Sequence, residues 1–252
     1  MTIDFPKKEQ ISQLRALWKE AFGDTDAYLD SFFALGFSQE RCRCIIENGQ
    51  VTAALYWFDC SCQNARLAYL YAVATSENRR GKGLCRQLMD NTHAHLKAAG
   101  YDGAILVPAS DALRQMYTKM GYSPATQINE LPCAAGEKAA TLKLLERDEY
   151  EHRRLELLPP GGVVQAGPMT ALLADQCSLW SGQDFLLAAW MEDGVLHAEE
   201  LLGNTGAAPE ILKALGAETG IFRVPGNEQD FAMYLPFSPC CPKPGYFGIS
   251  LG

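Results

Sequence analysis

Residues 73–88 read VATSENRRGKGLCRQL, and this stretch decides the fold. An apolar strand, LAYLYAVAT (67–75), runs into a glycine-rich turn, and the turn opens an amphipathic helix. Leu84, Leu88, Thr92, Leu96 and Ala99 form one stripe of that helix, with Gly100 just past its end. Such a junction aims backbone N–H groups and the positive end of the helix dipole at one spot, which suits a pyrophosphate. Arg79, Arg80 and Lys82 add positive charge, while Gly81 and Gly83 allow close backbone approach. Spacing excludes two other phosphate loops. A Walker A loop needs Ser or Thr after Gly-Lys, where this chain has Gly83. A dinucleotide G-x-G-x-x-G begun at Gly81 needs Gly where Arg86 stands.

Working outward, Ile11, Leu14, Leu17, Trp18 and Phe22 keep a helical period that stops at Gly23. Asp24-Thr25-Asp26 then caps a short second helix carrying Tyr28, Leu29, Phe32 and Phe33. Residues 42–62 read as a hairpin turning at Asn48-Gly49. Downstream of the junction come a strand at 104–108, a helix from Ser110-Asp111 to Gly121-Tyr122, and closing strands over 123–145. The order predicts a mixed α/β layer architecture. The second part repeats it more loosely. It has a polar helix at 148–158, a break at PPGG (159–162), and a helix at 169–179. A hairpin turning at Asp193-Gly194, a helix opened by Pro209, and strands at 220–224, 231–237 and 246–251 complete it.

The 252 residues are 48% apolar and 21% charged, a globular composition for one large domain or two small ones. No apolar run approaches the ~20 residues of a membrane span, and the N-terminus lacks a secretory pattern. A net charge of −8 argues against nucleic-acid binding. That charge is unevenly placed. Residues 1–145 hold 16 basic and 15 acidic side chains, whereas residues 146–252 hold 6 and 15. An acidic half serves solubility or attracts a cationic substrate. Nine cysteines, an odd number without any CxxC, fit poorly with a disulfide framework. Cys42/Cys44 and Cys60/Cys62 lie in strand-like segments and read as buried free thiols rather than zinc ligands, which points to a reducing cytoplasm.

On these residues the first part resembles the GNAT superfamily of acyl-CoA-dependent N-acetyltransferases. Its pyrophosphate pattern, Q/R-x-x-G-x-G/A, matches Arg80-Gly81-Lys82-Gly83-Leu84-Cys85, with Cys85 in place of Gly or Ala. The family's later N-x-x-A-x-x-x-Y-x-K-x-G-F helix is matched at Tyr117, Lys119 and Gly121, with Ser110 for Asn and Leu113 for Ala. The similarity spans about residues 5–145. It implies a GNAT domain at 1–140 and, at 141–252, an acidic, degenerate GNAT-like domain. The turn there, Gly203 to Pro209, carries no Arg or Lys and promises no second CoA site.

The resemblance implies transfer of an acetyl group from acetyl-CoA to a primary amine, without a metal. The acceptor would be a small-molecule or peptide amine, cationic if the acidic half walls its pocket, with neither nucleic acid nor membrane as partner. Pantetheine would pair with the backbone of Val73, Ala74 and Thr75, and the phosphates would sit at residues 80–85, with a further cofactor contact at Ser110. An N–H near Tyr71–Ala72 would polarise the thioester, and Tyr117 would be the general acid. The general base stays open. Thirteen residues before Arg80, where many members carry Glu, stands Leu67. Glu77 reads as a solvated loop charge, leaving Asp59 or a water relay. A non-catalytic acyl-CoA-binding or scaffold protein of the same fold is the rival reading.

Overall fold

The computed structural model describes residues 1–251. The first part builds β1 (Thr2–Asp4), α1 (Ile11–Phe22), α2 (Asp26–Ser31), β2 (Cys42–Glu47), β3 (Gln50–Cys62) and β4 (Ala65–Thr75). It continues with α3 (Leu84–Ala98), β5 (Gly103–Leu106), α4 (Asp111–Thr118), β6 (Ser123–Pro124) and β7 (Gln127–Ala134). The second part holds β8 (Lys143–Leu144), α5 (Arg147–Leu157), β9 (Val164–Gln165), α6 (Pro168–Gln176), β10 (Ser178–Ser181) and β11 (Phe185–Glu192). It ends with β12 (Val195–Gly203), α7 (Ala208–Leu215), β13 (Thr219–Pro225), β14 (Gln229–Asp230) and β15 (Met233–Pro236).

These strands form two mixed sheets, ordered β1-β2-β3-β4-β5-β15-β6, with β9 also on β3, and β14-β7-β13-β12-β11-β10-β8. The β4–α3–β5 crossover makes a parallel pair, Leu67 to Tyr69 against Gly103 to Ile105, and β12–α7–β13 repeats it with Val195 to Ala198 against Thr219 to Phe222. The sheets also trade a strand. β7 leaves the first part to pair antiparallel with β13, and β15 returns from the second part to pair with β5. No single cut in the chain, at residue 140 or elsewhere, separates the sheets.

The first sheet is buried on both faces. Leu84, Leu88, Met89 and Leu96 of α3 cover Ala53, Leu55, Trp57 and Leu70 on one face. On the other, Leu14, Leu17 and Trp18 of α1 pack on Ala54, Tyr56, Phe58 and Tyr69. Residues of the second part, Met169, Leu172 and Phe247 among them, join this same core. Cys42, Cys44, Cys60 and Cys62 are free thiols in it, each behaving as a small apolar side chain.

Two expectations fail. The helix expected over 169–179 ends at Gln176, and Ser178–Ser181 form β10, whose backbone is taken by β11 and β8. Residues 246–251 make no ladder strand apart from a single bridge from Tyr246 to Gly162. Side chains take their backbone groups instead. Glu199 Oε1 accepts from Ser250 N at 2.7 Å, and Ile249 exchanges hydrogen bonds with Gln165. A buried ion pair anchors the region: Arg154 and Glu200 meet at 2.7 Å, and Tyr150 and Tyr246 donate to the same carboxylate.

Candidate active site

β4 is paired with β3 from Ala65 to Thr75, apart from a slip at Ala72–Val73, but only through Tyr69 with β5. Beyond that point the two parallel strands part and leave residues 70–75 with one bare edge. Ser76 N donates to Thr52 O, so the alternation of a strand turns Ala74 toward β3 and Val73 and Thr75 toward the opening. A bulge interrupts this strand. Ala72 has φ +48, and the register slips opposite Ala54–Tyr56. A left-handed conformation costs a non-glycine residue about 1–2 kcal/mol. Here it re-aims the backbone at the mouth of the opening.

At the end of β4 the glycine turn delivers the N-terminus of α3. Gly81 and Gly83 have φ +74 and +77, a region that L side chains rarely adopt. Gly83 is the N-cap and supplies no side-chain cap, so the first-turn N–H groups remain available to an anion. Arg80 and Lys82 are exposed, with Arg80 Nε on Thr75 O at 3.1 Å and Lys82 Nζ on Asn78 O at 3.0 Å. Arg79 does not join them. Its guanidinium is paired with Glu47 of β2, Nε to Oε2 at 2.8 Å. Leu84 is buried, and Cys85, its thiol pKa raised by burial, packs with it in the core beneath α3. Ser110 caps α4 by accepting from Leu113 N at 3.3 Å.

A cavity of about 370 Å³ fills the opening, walled by Leu70, Tyr71, Ala72 and Val73 on one side and Leu106, Val107, Leu113 and Tyr117 on the other. Tyr117 is 6% exposed, and burial, aided by nearby Cys85, pushes its hydroxyl pKa well up, so it keeps its proton at neutral pH. α1 supplies Trp18 and Phe22, the loop after it Asp24, and α2 Tyr28. Asp24 is the one carboxylate among the described lining residues, held by Trp18 Nε1 at 2.7 Å. Tyr28 and Tyr71 share a hydrogen bond, and Tyr71 donates on to Leu251 O at 2.7 Å. Burial raises the Tyr28 pKa to about 12.

The bases weighed from sequence lie elsewhere. Leu67 is fully buried beside Gly103, and Asp59 sits toward the far end of β3, held by Arg41 and Arg66 at 3.2 Å each and by Tyr101. Glu77 stays on the exposed turn. In the sequence Asp24 reads only as part of the cap of the second helix. The side chains of Tyr28, Tyr71 and Glu199 carry no signal of a site in the sequence.

The family model for an acetyltransferase (GNAT) domain matches residues 2–125. These residues form a domain of the GNAT superfamily. Among solved structures, a GCN5-related N-acetyltransferase from Kribbella flavida superposes with a TM-score of 0.72 at 17% identity, covering 93% of this chain and 71% of that one. A second, from Anabaena variabilis, gives 0.71 at 16% identity over 95% and 73%. A putative acetyltransferase from Pyrococcus horikoshii gives 0.68 at 13% identity over 98% and 93%. At these identities the likeness is one of fold, and it extends through both sheets. No curated protein matches the sequence. The chain is thus an acetyltransferase of GNAT fold with a mixed α/β architecture.

Proposed function

We propose that this GNAT protein transfers an acetyl group from acetyl-CoA to a primary amine in the cavity between β4 and β5. The observation that carries the reading is one cavity walled by the bare β4 edge, the bulge at Ala72 and Tyr117, on a strand whose end runs through the glycine turn into the uncapped N-terminus of α3. Acetyl-CoA supplies the acetyl group as a thioester. Arg80, Lys82 and the N–H groups of residues 81–85 suit its pyrophosphate, and Val73 and Thr75 suit its amides. Ser110, beside the cavity at the start of α4, is proposed as a further contact. The bulge N–H near Tyr71–Ala72 stabilises charge on the carbonyl oxygen. Asp24 holds the incoming ammonium and takes one proton from it; as the C–N bond forms and the C–S bond breaks, Tyr117 gives its proton to the departing sulfur and the second amine proton leaves to solvent. Solvent then restores both residues.

The second part is read as a degenerate GNAT-like lobe that walls the acceptor side. Its turn at Asn204 is capped by its own side chain, which accepts from Gly206 N, and carries no cation for a phosphate. Its excess of carboxylates favours a cationic amine in its field. No helix among the described residues is long and apolar enough to cross a membrane. A cytoplasmic location is part of the proposal. A thiol-release assay with acetyl-CoA over a panel of primary amines tests it, with the acetylated amine identified by mass. Turnover supports the reading, and acetyl-CoA binding without turnover on any amine overturns it in favour of a binding protein.

A further inference from the structure

A second cavity, of about 270 Å³, abuts the first: Tyr28 and Leu251 belong to the walls of both. Its remaining lining comes from the second part, with Leu173 and Cys177 at the end of α6, Trp190 on β11, Glu199 on β12 and Arg223 on β13. Among the described residues, the charges in that lining, Arg223 and Glu199, neutralise each other. Arg223 Nη1 meets Glu199 Oε1 at 2.7 Å, and the same carboxylate oxygen accepts from Ser250 N. Among the described residues, no unbalanced carboxylate is left there for a second cation.

Apolar surface dominates the rest. Trp190 is 38% exposed and stacks on His197, with ring centroids 5.3 Å apart and planes 17° from parallel. His197 faces Ile221 across the sheet, and Ile221 faces Pro132, so a row of flat or apolar side chains leads away from the cavity. Exposed tryptophan on a rigid sheet offers a broad face for another ring. The inner cavity holds one lining carboxylate, Asp24, among the described residues.

We infer that the second cavity holds the body of the acceptor, and that the acceptor is a monoamine carrying an apolar ring. Its single ammonium lies by Asp24, and its ring lies against Trp190. A polyamine or aminocyclitol sugar would bring further ammonium groups into a space whose carboxylate is already paired, at the cost of desolvating them. The inference rests on the acetyl-transfer reading for the place of the amine, while the ring pocket stands on the second part alone.

The test compares tryptamine, propylamine and spermidine as acceptors with the full-length protein and its Trp190→Ala variant. Tryptamine should have the highest kcat/KM. Trp190→Ala should raise its KM about tenfold, the scale of one lost ring contact. The kcat, the KM for propylamine and the affinity for acetyl-CoA should stay unchanged. An unchanged tryptamine KM in the variant, or spermidine as the better substrate, overturns the inference. Should no amine be acetylated, calorimetry of tryptamine on the CoA-saturated protein decides separately. Binding that Trp190→Ala weakens about tenfold keeps the pocket although the transfer reading fails, and absent binding, or binding unchanged in the variant, overturns the pocket itself.

Discussion

At the scale of single residues, the site mixes groups that sequence announces with groups that only the fold assembles. Arg80, Gly81, Gly83 and Tyr117 are readable because each answers a local demand at fixed spacing: charge at a phosphate turn, positive φ, a hydroxyl on a helix after β5. Asp24 is not readable. It lies among three aspartates near the α1–α2 loop, two of which face outward to Lys19 and Arg15 at 2.7 and 2.6 Å. Only the packing of Trp18 against the sheet turns the third inward. Arg80→Ala should weaken acetyl-CoA binding about tenfold to a hundredfold by calorimetry, since one charged hydrogen bond contributes about 1.5–3 kcal/mol. Loss of proton abstraction in Asp24→Asn should lower kcat/KM for the amine about 100-fold. Its acetyl-CoA affinity should match the wild type, and an unaltered kcat/KM would relieve Asp24 of its role.

Elements were legible wherever hydrophobic period and turn chemistry agreed, as in α1, the Asn48-Gly49 hairpin and α3. They were misread where the backbone found partners far away in sequence. Ser178 and Leu179 read as the tail of α6 because the ladder partners of β10 lie on β11 and β8. Residues 246–251 looked like a strand, yet Glu199 and Gln165 satisfy them. α3 carries a testable consequence of its own packing. His93 is buried against Tyr122, its ring nitrogen 2.8 Å from the hydroxyl, and burial lowers its pKa from 6.5 to about 4. The unfolded chain therefore binds this proton more readily than the folded one. Stability at this site is complete above pH 6.5 and falls with pH through the window down to 4, by up to about 3 kcal/mol. Denaturant titrations between those pH values should show the loss, and His93→Gln should flatten it. An identical slope in the variant would assign the acid sensitivity to other groups.

For the whole molecule, the deciding feature is the exchange of β7 and β15, which no local pattern could show. Both strands look like closing strands of their own half, and strand patterns do not say which neighbour they join. Consequently each sheet needs both halves of the chain. Residues 1–140 alone should leave β5 without β15 and β7 without β13, two exposed apolar edges that favour aggregation. That fragment should fail to give a monomer with cooperative unfolding in size-exclusion and thermal measurements, and a folded monomer with intact acetyl-CoA affinity would show the exchange to be dispensable. Within the whole chain, the central claim is that the β4–β5 cavity carries out acetyl transfer with Tyr117 as the acid. Steady-state kinetics of Tyr117→Phe, taken beside its acetyl-CoA dissociation constant, test this most directly. The account predicts a kcat lowered about 100-fold or more with the dissociation constant unchanged, because the hydroxyl acts only as the thiolate departs. A kcat equal to the wild type at neutral pH would contradict it.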